Sequence, residues 1–149
     1  MNWSSITIDT LKSAGHSAIV QAADTAGIGG VDPVAESIAD AVSRVRAACS
    51  AGNQLDADTT KVPNSVKGLT IRIALFALME RIGFPLSQDQ RDTRRNDNNS
   101  LLRINDDQLK FELPDNPAAN AEMQPGADID TITSTNRLPY TRRGMDGLL

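Results

Sequence analysis

Apolar residues recur at three- and four-residue steps through Val34, Ile38, Ala41, Val42, Val45, Ala48 and Cys49, opposite Glu36, Asp40, Ser43 and Arg44. That period lays one apolar stripe along a helix and turns the stripe towards a core. The helix has a written start, because Asp32 can accept hydrogen bonds from first-turn amides and Pro33 stands where no amide partner is needed. Gly52 is expected to end it in a left-handed conformation. A second run, opened by Pro63-Asn64-Ser65 and closed near Ile82 by Gly83 and Pro85, is apolar almost all round. Leu69, Ile71, Ile73, Ala74, Leu75, Phe76, Ala77, Leu78 and Met79 leave it no polar face, so it is predicted to be a central helix enclosed by others. At about 1.5–3 kcal/mol per fully buried large side chain, it should be the main source of stability.

The flanking segments are weaker. Residues 7–23 can start a helix at Thr7 but meet Gly15, which costs about 1 kcal/mol relative to alanine in a helix interior, so two short helices are expected. Gly27-Ile28-Gly29-Gly30 reads as a hinge or turn. Residues 87–103 form a polar helix on which Asp89, Arg91, Asp92, Arg94 and Arg95 can pair along the surface. Its end is apolar, and Leu101, Leu102 and Ile104 should close over the core. After Asn105-Asp106-Asp107 the alternation Leu109, Phe111, Leu113 predicts a short extended segment, with room for a hairpin-like excursion. The expected class is mainly α: a small helical bundle around a buried central helix, with a short extended segment and a long extended C-terminal arm.

The domain is expected to span residues 1–113 and the arm residues 114–149. Pro114, Pro117, Pro125 and Pro139 interrupt any helix or central strand in that arm. Its thirty-six residues carry eight larger apolar side chains. Fixing a residue costs about 1–2 kcal/mol and burying a large side chain returns about 1.5–3 kcal/mol, so the arm's own contacts cannot order it. It is expected to be flexible or, preferentially, ordered by pairing and packing on another subunit.

A length of 149 residues suits one domain with an appendage. Lys+Arg 15 against Asp+Glu 19 gives a net charge of -4, which argues against a broad basic surface for nucleic acid. Cys49 is the single cysteine, so neither an internal disulfide nor a thiolate cluster is available, consistent with a reducing cytoplasm. The first residues carry no basic run ahead of an apolar stretch, so export is not expected. The longest apolar run, from Ile73 to Met79, is far short of the ~20 residues that cross a bilayer, and a soluble protein is expected.

Candidate chemistry is sparse. His16 is the lone histidine and has no partner motif, which favours an ordinary helix or surface residue over a general base. Cys49 belongs to the apolar stripe and reads as core packing. The glycine loop lacks the spacing and the Lys-Ser/Thr pair of a phosphate-binding loop. Asn96-Asp97-Asn98-Asn99 lacks the alternate-residue spacing and terminal glutamate of a calcium loop, and a surface turn or exposed helix is favoured. Arg91, Arg94 and Arg95 could touch phosphates, but Asp89, Asp92 and Asp97 interleave with them, so a solvated, ion-paired face is the default. No cofactor and no metal site are predicted.

The order of elements resembles the head-to-tail adaptor proteins of Mu-like phages and related siphophages. Val34-Ala35-Glu36-Ser37-Ile38-Ala39-Asp40-Ala41-Val42-Ser43-Arg44-Val45 and Leu69-Thr70-Ile71-Arg72-Ile73-Ala74-Leu75-Phe76-Ala77-Leu78 resemble that family's two main core helices. Leu101-Leu102-Arg103-Ile104 is similar to its leucine-isoleucine helix end. The stretch Asn136-Arg137-Leu138-Pro139-Tyr140-Thr141-Arg142-Arg143-Gly144-Met145-Asp146-Gly147-Leu148 is similar to its arginine, aromatic, arginine, small-apolar tail. The loop after Ala51 departs from the family's tyrosine- and proline-rich turn. The resemblance implies a non-enzymatic structural protein of the virion neck, assembled in the host bacterial cytoplasm. It implies a ring of about twelve copies below the portal protein, next to a stopper or tail-completion protein, with DNA passing through the lumen without sequence-specific binding and with no membrane partner.

On that reading the arm docks on the portal or a neighbour. Arg137, Leu138, Tyr140, Arg142, Arg143, Met145, Leu148 and Leu149 are the expected interface residues, with Tyr140 and Met145 as buried anchors and Arg142 and Arg143 pairing with carboxylates. The alternative is a small helical DNA-binding or regulatory protein that uses Arg91, Arg94 and Arg95 on a recognition helix. An enzyme would need a reactive constellation that the sequence does not display.

Overall fold

The structure, a computed structural model, describes residues 1–26, 32–51 and 54–119. The glycine loop at 27–30, the expected helix stop at Gly52 and all the expected interface residues of the arm lie outside the described residues. In chain order the elements are β1 (Trp3–Ser5), α1 (Ile8–Leu11), a π-turn (Lys12–His16), α2 (Ser17–Ala26), α3 (Pro33–Cys49), β2 (Lys61–Pro63), a 3-10 turn (Asn64–Val66), α4 (Lys67–Arg81) and α5 (Gln88–Asn105). The protein is mainly helical.

Local signals decide where the helices begin. Thr7 caps α1 by accepting from the Thr10 amide, while the Thr10 hydroxyl accepts from the Thr7 amide. Asp32 accepts from the amides of Val34 and Ala35 at 2.9 and 3.2 Å, with Pro33 as the first helical residue of α3. Ser87 and Gln90 form the same reciprocal box at the start of α5. The expected break at Gly15 is present: Gly15 adopts φ 91° and ψ 11°, a conformation that divides the first helical segment in two.

The predicted stripe of α3 is buried at every position from Val34 through Cys49, and it packs on α4 and α5. α4 is central, as its composition predicts. Leu69, Ile73, Ala74 and Leu78 join the main core with α1, α2, α3 and α5, whereas Leu75, Phe76 and Met79 form a smaller cluster on another side under Ile19 and Leu86. Thr70 is fully enclosed and keeps its hydroxyl satisfied by donating to the Val66 carbonyl at 2.9 Å.

Three expectations need correcting. Pro63 does not open the central helix; it ends β2, which pairs antiparallel with β1 in the register Trp3↔Pro63, Ser4↔Val62 and Ser5↔Lys61. A proline at a strand end gives up no ladder donor, and the 3-10 turn then leads into α4. Leu102 does not close over the core and is 61% exposed, because only Leu101 and Ile104, three residues apart, share the inward face of α5. The segment 109–113 joins no strand and forms no hairpin among the described residues. Instead Phe111 meets Trp3 edge-on, with ring centroids 6.3 Å apart, and the Trp3 indole N–H donates to the Glu112 carbonyl at 2.9 Å.

The compact body continues past Pro114 to Ala119. Asp115 accepts from the Asn2 amide at 2.6 Å, the Asn116 carbonyl accepts from Ala57 at 2.8 Å, and the Ala118 amide donates to Leu55 at 2.8 Å. Residues 114–119, expected to open the arm, thus lie along residues 55–57 as part of the body.

Candidate functional site

Where α1 starts, β1 has just ended and the chain carries Ile6 and Ile8 to either side of the capping Thr7. These residues stand opposite the shoulder of α3, where exposed Ala35 and Ala39 border the stripe residues Ile38 and Val42. Between the two walls lies an open groove of about 810 Å³, which Thr59 and Thr60 also line. Its lining combines aliphatic side chains, of which Ile6, Ile38 and Val42 are almost enclosed, with the polar edge groups Thr7, Asp9, Ser43 and Arg46.

The edge is rigid at one end and unpaired at the other. Arg46 donates to the carbonyls of Asp56 at 2.8 Å, Asp58 at 3.0 Å and Lys61 at 2.7 Å, and its guanidinium lies 5.8 Å from the centre of the Trp3 ring. One side chain therefore fastens the 56–61 loop to α3 and to β1. Asp56, enclosed below it, accepts from the amides of Asp58 at 2.9 Å and Asn116 at 3.4 Å. Two hydrogen bonds from Thr60, its hydroxyl first, hold the Asp58 carboxyl below the usual range, with Lys61 and Arg46 adding to the effect. Asp9, by contrast, has no side-chain partner among the described residues.

Most arginines between the helices are committed. Arg72 of α4 grips the enclosed Asp97 of α5 through three contacts of 2.7–3.2 Å, and this carboxylate holds the guanidinium above its ordinary range. Arg81 pairs with Glu36 and, at 2.7 Å, with Asp40, which ties the end of α4 to α3. Arg94 pairs with Glu80. The expected pairing along α5 is therefore replaced by pairing between helices. The side chains of Arg91, Arg95 and Arg103 have no ion-pair or hydrogen-bond partner among the described residues.

The other sequence candidates fall into structural places. His16 closes the π-turn, half-buried. Cys49 is enclosed, and burial pushes its thiol up to about 11 despite the opposing pull of Arg46. Asn96-Asp97-Asn98-Asn99 lies on α5, where Asp97 faces Arg72 and Asn98 accepts from Arg44 at 3.3 Å. No group of three metal-ligating side chains occurs among the described residues, and no helix there is long and apolar enough to cross a membrane.

Sequence reasoning missed the groove and the Arg46 clamp. The groove's walls come from residues far apart in the chain, and the only local hint was the run Ile6-Thr7-Ile8, whose apolar residues precede and open a very short helix. Compared with protein-family models, with curated proteins and with solved structures, the chain matches none.

Proposed function

We propose that this chain is a structural head-to-tail adaptor of a tailed bacteriophage. In this reading it forms a ring between the portal and a stopper or tail-completion protein in the virion neck, and DNA passes through the ring. The observation that carries the reading is the open aliphatic groove of about 810 Å³ on a helical body whose inter-helix charges are already paired. A surface of that kind suits a protein partner, because apolar area gains from leaving water and its rim supplies register.

The sequence of residues 120–149 supports the same reading. Its sparse apolar residues sit between prolines and arginines, a composition that suits docking in an extended form on another surface. The order of the helices and the tail Arg137-Leu138-Pro139-Tyr140-Thr141-Arg142-Arg143 resemble the adaptor family. Assembly would then proceed by ordering: a preformed body presents its face, and the arm becomes fixed where a receiving groove exists. Repeated contacts of this sort around a closed ring of about twelve copies add up without any one being strong.

The test is electron microscopy of the full chain mixed with a purified portal ring of a Mu-like phage. An added ring of density on the portal is expected, and a portal left bare at saturating protein overturns the reading. A DNA-binding role is the second reading, favoured by Arg91 and Arg95 on α5, whose side chains have no partner among the described residues. It requires DNA affinity that falls steeply with salt, and it fails if no binding is measured at low salt.

A further inference from the structure

We infer that the groove between α1 and α3 is the receptor for the Leu138-Pro139-Tyr140 segment of a neighbouring copy of this chain. The choice of a neighbouring copy rests on the adaptor reading; the choice of segment rests on chemistry. The groove offers an apolar lining from half-buried Ile8 and exposed Ala35 and Ala39 over the nearly enclosed Ile6, Ile38 and Val42, and one carboxylate of the lining, Asp9, has no side-chain partner among the described residues. An occupant must therefore bring apolar side chains flanked by positive charge. Within residues 120–149 that pattern occurs at Leu138-Pro139-Tyr140, with Arg137 before it and Arg142 and Arg143 after it.

The chain's course is compatible with this. Residues 116–118 run beside residues 55–57, which precede the groove-lining Thr59 and Thr60 in the chain. Between Ala119 and Leu138 lie 18 residues, enough to span roughly 60 Å when extended, which exceeds the width of one such body. A tail leaving one copy can thus reach the same groove on the next, and a contact between two different patches repeated by rotation closes a ring. The proline suits the extended backbone such a groove takes, and the tyrosine brings a flat apolar body with a hydroxyl for the Thr7 or Ser43 edge.

Disulfide trapping in the full-length protein tests this. Ser43→Cys is placed in one copy and Thr141→Cys in another, the two are mixed at rising concentration, and mild oxidant is added; native Cys49 is enclosed and does not compete. A covalent dimer is expected to form at least about tenfold faster than with a control pair that carries Asn99→Cys on α5 in place of Ser43→Cys, because docking raises the local thiol concentration. Ala39→Arg, an exposed position on the groove wall, should abolish the excess while leaving the helical circular dichroism unchanged.

Equal trapping at Ser43 and Asn99, or trapping that survives Ala39→Arg, overturns the inference. So does a double variant that closes the disulfide only within one chain while the mixed single variants stay monomeric. A specific dimer from a protein that adds no ring to a portal keeps the docking and removes the adaptor reading, and a ring on the portal without the Ser43 trap does the reverse.

Discussion

Removing either half of the clasp between α4 and α5 should destabilise the protein unequally. The Asp97 side chain is 6% exposed and that of Arg72 is 44% exposed. In Asp97→Ala the guanidinium stays at the surface and recovers water, so the loss is that of hydrogen bonds to a charged group, about 1.5–3 kcal/mol. In Arg72→Ala the carboxylate remains enclosed with its partner gone, and leaving a buried charge uncompensated costs about 3–5 kcal/mol. Arg72→Ala should therefore be the worse variant by about 1–2 kcal/mol. The double variant should be more stable than Arg72→Ala alone, because it removes the stranded charge. Urea unfolding at neutral pH reads this directly: with a slope of about 1–3 kcal/mol per molar, the difference moves the midpoint by roughly 0.3–2 M. If Asp97→Ala falls as far as Arg72→Ala, or if the double variant is the least stable of the three, the assignment of the penalty to desolvated Asp97 is wrong.

Cys49 makes stability sensitive to alkali. Its thiol is raised from 9.0 to about 11 in the folded protein, so the unfolded chain loses its proton first and the thiol's contribution, complete below pH 9, is lost as pH rises towards 11. The loss is about 2–3 kcal/mol, and Cys49→Ala should show a shallower decline in denaturant midpoint across that window; parallel declines would refute it. Glu112 acts at the acid end. The Ser65 hydroxyl donates to it at 2.7 Å and holds its carboxyl below the usual 4.5, so its contribution is present above that pH and lost as pH falls through the lowered value. Glu112→Gln should flatten that part of the acid unfolding curve, and an unchanged curve would count against the contact. Gly15→Ala isolates backbone strain, since an added Cβ meets nothing within 4 Å while φ stays at +91°. A loss of about 1–2 kcal/mol in thermal or denaturant unfolding is expected, and no loss would mean that the kink relaxes.

The parts of the fold legible in the sequence were those decided within a few residues. Asp32 and Pro33 fix the start of α3 through their own backbone chemistry, Ser87 and Gln90 do the same for α5, and Gly15 marks its break because few other residues tolerate that φ. The burial of α3 and α4 followed from periodicity alone, because an apolar stripe or an apolar cylinder has no other stable place in water. Pro63 misled because proline begins helices and also ends strands; only Trp3, some sixty residues earlier in the chain, decides between them by pairing with it. Leu102 misled because three apolar residues in a run of four look alike until the helix phase sends one of them outward.

The candidate site lay beyond such local rules for the same reason. Its walls are residues 6–9, one shoulder of α3 and residues 59–60, and they come together only because Arg46 collects three carbonyls from the 56–61 loop and holds them against α3. A surface arginine in a helix pattern carries no sign that its partners are backbone oxygens ten to fifteen residues on. The charge pattern misled in the same way. Arg94 and Asp97 looked able to pair along α5, yet both are taken by Glu80 and Arg72 of α4; for Asp97 the facing helix offers a pairing shielded from water, whereas the Arg94–Glu80 pair is as exposed as one along the helix surface would be. Among the described residues, the side chains this leaves without a partner include Asp9 beside the groove and, on α5, Asp89 as well as Arg91, Arg95 and Arg103. Because α5 keeps charges of both signs while the groove edge keeps a carboxylate whose neighbour Arg46 is already committed to loop carbonyls, an approaching positive charge should be met better at the groove than on α5.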